Sequence, residues 1–426
     1  MKRRSSTAAA VLANAAALLF CAGGCAGTVH SRAPARSSQP APATGPAFGL
    51  TEDNADLLWS PSAAGRTGGE PFQAARVELA ALHPAYLRLI VDWAALQPRP
   101  NSPPALSLDV SGCARGVGPC GRYAGIRDEL AAIASQQRAA GGAGFQVVVV
   151  ILGAPSWAAL AASGCEPAGT AAFSRPLRPT ALADYRGLIS SLLTLAAAEG
   201  VPLRWWSPWN EPNDPRFISP QQASCAAAGQ PVSAGVYAQL ARAMAAALRA
   251  GGGVHDMLLG ELGDIQRDSP HATSVASFVA ALPADVLCLA AAWSIHAYAS
   301  RHAGAPADAV QALEGALDSR GGCTRTAPIW VTEAGAGAAH PGLPRPPGAS
   351  DELAGCRALA GQLLGWYADP RVGAVFQYTF REDPAFPVGL ASADLSHLYP
   401  VYRLWLAYTR LRAAGEPPPD PVGACT

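Results

Sequence analysis

The chain repeats one pattern eight times between Phe48 and about Arg412: a short apolar run, then a longer Ala- and Leu-rich stretch, with no Pro/Ser-rich linker interrupting the series. The apolar runs are "AFGL", "YLRLIVDW", "FQVVVVILG", "LRWWSPW", "MLLGEL", "WSIHAY", "PIWVTEAG" and "AVFQYTF". Between them, segments such as "GIRDELAAIASQQRAA" and "TALADYRGLISSLLTLAAAEG" space their apolar residues by three and four, as a helix with one buried face requires. Several close on glycine, a common helix stop. Eight strand–helix units in series predict an α/β fold, a single (β/α)8 TIM barrel over residues 47–412. A doubly wound sheet would carry a Gly-rich phosphate turn after its first strand, whereas "FGLTEDNADLLW" follows here.

The segments outside the barrel have their own signatures. Residues 1–25 open with Lys2, Arg3 and Arg4 and continue through an apolar stretch from about Ala8 to Ala22. That stretch is shorter than the ~20 residues a membrane-spanning helix needs, so it reads as an export signal. "AGGC", ending at Cys25, is similar to a bacterial lipobox with Ala22 in place of the usual Leu. Lipidation of Cys25 and signal-peptidase cleavage with full release both remain open, giving a cell-surface or an extracellular protein. Residues 26–46 are rich in Pro, Ala and Ser and read as a tether. Residues 413–426 are expected to be coil.

Eight cysteines follow Cys25, and an even number beyond an export signal points to disulfides. Cys113 and Cys120, flanking "CARGVGPC", are the first pair expected, with Cys165 and Cys225 the second. No CxxC doublet and no HExxH occurs, so neither a metal nor another cofactor is expected. Lys plus Arg equals Asp plus Glu at 31 each, which leaves no basic face for nucleic acid. A monomer is expected.

Barrels of this kind carry their chemistry at the C-terminal ends of the strands. The polar residues there are Arg88 and Asp92 on strand two, Asn210 and Glu211 on strand four, Glu261 on strand five, His296 and Tyr298 on strand six, and Glu333 on strand seven. Glu211 and Glu333 close apolar runs 333 − 211 = 122 residues apart, the length of three strand–helix units. Strands three apart face each other across the mouth of an eight-strand barrel. Two facing carboxyls are the equipment of glycoside hydrolysis, in which one protonates the leaving oxygen and the other attacks or activates water.

"WNEPN" on strand four and "WVTEAG" on strand seven resemble the acid/base and nucleophile motifs of clan A glycoside hydrolases, which are retaining (β/α)8 enzymes. "GAPSWA" after strand three and "HAY" on strand six add to the resemblance, which is greatest to family 39, with the cellulase-like family 5 next. The resemblance implies a carbohydrate substrate, Glu211 as general acid/base and Glu333 as nucleophile. It further implies that Asn210 contacts the sugar 2-hydroxyl, that Arg88 lies beneath Glu333, that Tyr298 donates a hydrogen bond to Glu333, and that His296 lines the sugar site.

Trp157 and Trp293 are candidates to stack on a sugar face, with core packing as the alternative. Many clan A enzymes present a Trp at the end of strand eight, where this chain has "VFQYTFRED", so Tyr378 or Phe380 is expected to take its place. The competing readings are a non-catalytic carbohydrate-binding protein on the same barrel, which the presence of both glutamates disfavours, and a serine hydrolase, for which no GxSxG is present.

Overall fold

The computed structural model describes residues 45–52, 57, 69–141, 144–226, 231–299 and 308–426. The expected export signal, Cys25 and all but the last two residues of the expected 26–46 tether lie outside the described residues. Eight parallel strands close a barrel in sequence order: β1 (Ala47–Thr51), β2 (Tyr86–Asp92), β3 (Gln146–Leu152), β4 (Trp205–Ser207), β5 (Asp256–Leu262), β6 (Ala290–His296), β7 (Ile329–Ala334) and β8 (Val372–Tyr378). All eight fall on the apolar runs of the sequence. The fold is the expected single (β/α)8 barrel.

Helices follow the strands: α1 (Gly69–Ala81), α2 (Trp93–Leu96), α3 (Gly125–Ala139), α4 (Leu182–Glu199), α5 (Ser233–Gly251), α6 (Val275–Ala281), α7 (Ala284–Leu287), α8 (Ala309–Arg320), α9 (Ala349–Ala368) and, after β8, α10 (Pro400–Ala414). The α4 helix stops at Gly200, whose φ of 75° is a left-handed cap.

Strand alternation divides the apolar residues into two layers. Val148, Leu258, Ala292, Trp330, Ala374 and Phe376 fill the barrel interior, while Leu87, Val149, Trp206, Trp293, Ile295 and Val331 pack in the larger cluster against the helices. Gly49 belongs to the inner layer because the Phe376 ring occupies its side-chain position, 2.4 Å from where a Cβ would stand.

Two strands break the alternation near the mouth. On β5, Leu259 pairs with Trp293 but Leu262 pairs with Ile295, so three steps face two. On β7, Ile295 pairs with Val331 while the next residue, His296, pairs with Glu333. Such bulges re-aim side chains. Gly260, with φ of 103°, makes the first one feasible, since a Cβ there would stand 2.3 Å from Ser294 O.

Among the described residues, four disulfides brace the barrel. Cys113 bonds to Cys120 and Cys165 to Cys225, and two further bonds join Cys288 to Cys323 and Cys356 to Cys425. The last corrects the expectation of a coiled tail over residues 413–426, because Pro421–Cys425 forms a short helix, α11, with the Cys425 side chain fully buried. Apolar contacts too few to register as a periodic pattern are enough once a covalent bond holds the segment against α9. Replacing Cys356 and Cys425 by serine is expected to remove about 2–4 kcal/mol of stability. Chemical denaturation of both forms measures this, and equal midpoints would mean that packing alone seats the helix.

Candidate active site

Arg88 organises the mouth of the barrel. It projects inward from β2, fully buried, and donates from Nη1 to Glu333 Oε1 at 2.8 Å, from Nη2 to Glu261 Oε2 at 2.8 Å, and from Nη2 to Asn210 Oδ1 at 2.6 Å. Burial alone would lower its pKa, but Glu261 and Glu333 beside it hold it above the ordinary arginine range. One guanidinium therefore ties β2, β5, β7 and the loop after β4 together, since Asn210, expected on strand four, lies beyond its end at Ser207.

Glu333, aimed inward by the β7 bulge, also accepts a hydrogen bond from Tyr298 Oη at 2.5 Å on Oε2. Burial, and then the Glu333 charge, keep the Tyr298 phenol well above its usual pKa, so Tyr298 remains a donor. Glu211 does not sit on a strand, as the sequence suggested. β4 ends at Ser207, and Glu211 lies four residues beyond, with φ of 35°, in the sparsely populated left-handed region. The loop that presents it is held by Asn213, which donates to Gly263 O and Thr273 O and accepts from Gly263 N.

His296 joins the carboxylates. Its Nδ1 lies 2.9 Å from Glu211 Oε1 and 3.4 Å from Glu333 Oε2, and its Nε2 lies 2.8 Å from Glu261 Oε2. Burial would lower its pKa, but Glu333 and hydrogen bonds to Glu211 and Glu261 push it up to about 10. With a carboxylate oxygen within 2.9 Å of each nitrogen, the ring is placed to donate from both as an imidazolium. Single oxygens of Glu211 and Glu333 and a nitrogen of His296 lie within 4.8 Å of one another. Such a trio has the composition of a metal-ligand set.

The cleft above these groups has a volume of about 750 Å³ and is lined by Asn210, Glu211, Arg216, Phe217, Tyr298, Glu333, Tyr378 and Phe386, among others. That is within the usual range for a small-molecule site. Tyr378 takes a place in the cleft wall at the end of β8, with its ring 6.5 Å from Tyr298 and 6.0 Å from Phe386. Phe380, the alternative to it, is fully buried and faces Tyr402 instead.

Neither tryptophan proposed for sugar stacking lines the cleft. Trp293 shares the parity of Ile295, opposite to His296, so it points out into the helix layer and is fully buried. Trp157 donates from Nε1 to Gln97 O and packs edge-on against Trp93 at 6.0 Å. The tryptophans of "WWSPW" also stay out: Trp205 packs at a tilt on Trp330 against the inner layer, and Trp206 and Trp209 are buried among core side chains.

Arg216 went unread in the sequence. Its Nη2 lies 3.2 Å from Glu211 Oε2, and its guanidinium also pairs with Asp214 at 2.9 Å. It follows "WNEPN" by three residues, so its position in the same loop was the available signal. Glu261, noted at a strand end but given no chemical role, is fully buried at the centre of the network.

No protein-family model and no curated protein sequence matches this chain. Solved structures do. A family 39 glycoside hydrolase from the gut symbiont Bacteroides cellulosilyticus WH2 superposes with a TM-score of 0.51 at 15% identity, over 85% of this chain and 63% of that one. The GH5_18 protein from Streptomyces cattleya, solved in complex with GlcNAc, gives 0.51 at 18% identity over 88% and 82% of the two chains. SrfJ from Salmonella typhimurium gives 0.54 at 9% identity over 86% and 75%. What this chain shares with them is the barrel fold. This chain spans 63% of the length of the family 39 enzyme, whose remaining residues have no counterpart in the superposition. At such identities the likeness concerns the path of the chain, and the chemistry must be argued from the side chains themselves.

Proposed function

We propose that this protein is an exported, retaining glycoside hydrolase that cleaves β-linked O-glycosides, with Glu333 as nucleophile and Glu211 as general acid/base. The observation that carries the reading is the pair of carboxyls itself. They come from β7 and from the loop after β4, with oxygens within 4.8 Å of each other across the cleft. A separation this short suits direct attack by one carboxylate, whereas inverting enzymes need about 6.5–9.5 Å to hold a water between the two.

In the first step a Glu333 oxygen forms a bond to the anomeric carbon as the glycosidic C–O bond breaks, and the Glu211 proton passes to the departing oxygen. In the second, Glu211 takes a proton from water, whose oxygen displaces Glu333 from the same carbon. Arg88 and Tyr298 keep Glu333 oriented for attack. Asn210, whose side-chain oxygen is occupied by Arg88, is left its amide N–H groups to meet a sugar hydroxyl. Four disulfides fit an oxidising compartment, in keeping with the export signal. Anchoring through a lipid on Cys25, or release, belongs to the same reading, as does a monomeric enzyme.

Residues 46–426 should release reducing sugar from at least one plant or bacterial polysaccharide or aryl β-glycoside, and NMR of the first-formed product should show the anomeric configuration of the substrate. In Glu211→Ala, glycosides with poor leaving groups should slow by about 10²–10⁴-fold. On a dinitrophenyl glycoside, which leaves without a proton, azide should speed the second step of this variant and give a glycosyl azide of unchanged configuration. An inverted product, or no product from any glycan with folded protein, would overturn the proposal.

A further inference from the structure

Glu261 has no assigned part in the double displacement, yet the fold goes to some length to place it. Strict alternation along β5 would send it to the helix layer with Leu259. The bulge at Gly260 and Glu261 turns it into the mouth instead, at φ of 52°. Its backbone N–H is accepted by Ser294 Oγ at 2.7 Å, and the N–H of Gly260 by Tyr237 Oη at 2.8 Å. Its carboxylate, with no exposure to solvent, accepts from Arg88 Nη2, His296 Nε2 and Thr332 Oγ1 at 2.8, 2.8 and 3.0 Å. Burial would raise its pKa, but Arg88 and His296 bring it down to about 2.

We propose that Glu261 is a positioning residue for proton transfer, acting through His296 to direct the Glu211 proton toward the substrate. The inference rests on the glycosidase reading for its second half only. The geometry is a buried chain, carboxylate to imidazole to carboxylate: Glu261 Oε2, His296 Nε2, His296 Nδ1, Glu211 Oε1. With an anion at Nε2, the ring stays doubly protonated and Nδ1–H donates to Glu211 Oε1. The catalytic proton then belongs on Oε2, which accepts from the half-exposed Arg216 Nη2 at 3.2 Å and keeps a second lone pair for the proton on the cleft side.

A neutral imidazole with its proton on Nε2 would reverse this. Nδ1 would accept, and the Glu211 proton would point inward, away from the glycosidic oxygen. The charged and titratable groups facing this pair are Arg88 from β2, Glu211, Asp214 and Arg216 from the β4–α5 loop, Tyr237 from α5, Tyr298 after β6, and Glu333 from β7. Arg88 is shared by Glu261 and Glu333, and Asp214 is paired with Arg216. Among these groups, the contact on Nε2 comes from Glu261 alone, so its charge governs the far side of the ring.

The test has two arms. Nitrogen-15 NMR of the histidine side chains, with the His296 signals assigned from a His296→Asn sample, reads the protonation of the ring without any substrate. In the wild-type protein His296 should be an imidazolium at pH 8. In Glu261→Gln the midpoint of its titration should fall by about one pH unit or more. Glu261→Asp, which keeps the charge that Arg88 needs but draws the carboxylate back, should shift it less in the same direction, and stands in if the glutamine variant does not fold.

In the second arm, kcat/KM of Glu261→Gln should drop about 10²-fold for a glycoside with a poor leaving group. It should change far less for a dinitrophenyl glycoside, which leaves without a proton, and the alkaline limb of the pH–rate profile should move to lower pH. A neutral His296 at pH 8 in the wild type, an unmoved midpoint in both variants, or equal losses on the two substrates would overturn the proposal. Absence of activity on every glycoside would count against the glycosidase reading and leave the NMR arm standing.

Discussion

Glu333→Gln should lower kcat/KM on any hydrolysed glycoside by on the order of 10⁵-fold, the scale of losing a covalent nucleophile. The amide retains an oxygen for Arg88 Nη1 and nearly the same volume, so the variant should fold and melt close to the wild type. What it lacks is a carboxylate oxygen able to bond the anomeric carbon. A dinitrophenyl leaving group should not rescue it, in contrast to Glu211→Ala, because the missing step is attack and not protonation. Initial rates on both classes of aryl glycoside, with circular dichroism as the folding control, make the comparison. Undiminished activity in Glu333→Gln would sink the nucleophile assignment.

Arg88→Met should be the most destabilising single change in the barrel mouth. The arginine is fully buried, and removing it strands Glu261 and Glu333, which are themselves buried, without their shared cation. Breaking a buried pair from one side costs about 3–5 kcal/mol, since the uncompensated charge stays behind. Methionine fills most of the stem volume, so the loss would be electrostatic and not a cavity. Activity should fall too, because Arg88 orients Glu333 and Asn210 together. Urea denaturation midpoints and kcat/KM of the two proteins measure both effects. A variant as stable as the wild type would mean that the carboxylates take up protons or water at no cost, and that Arg88 does not organise the site.

Much of the site was legible because β2 and β6 obey simple alternation. Arg88 and His296 each stand among apolar neighbours that turn the other way, Leu87 and Leu89 for the first and Ile295 for the second. The same rule, applied to Trp293, places it in the helix layer, which is where it lies. Glu261 and Glu333 were not decided that way. Alternation along "MLLGEL" and "IWVTE" puts both on the outer face, and the bulges that reverse them depend on contacts with β6. Arg216 and the tail helix were missed for a related reason: a loop and a five-residue segment carry no periodic signal.

The sequence by itself determined the barrel, since eight apolar runs and their intervening helical stretches can bury their faces together in few other ways. It also determined which acids were available at the strand ends. Both are properties of near neighbours along the chain, set by periods of 2 and 3.6 residues. Only the tertiary structure decided which of those acids meet. Arg88 reaches Glu261 and Glu333 across 173 and 245 residues, and His296 reaches Glu211 across 85. Which oxygen faces which nitrogen depends on bulges, a left-handed turn and a shared guanidinium, none of which a local pattern specifies.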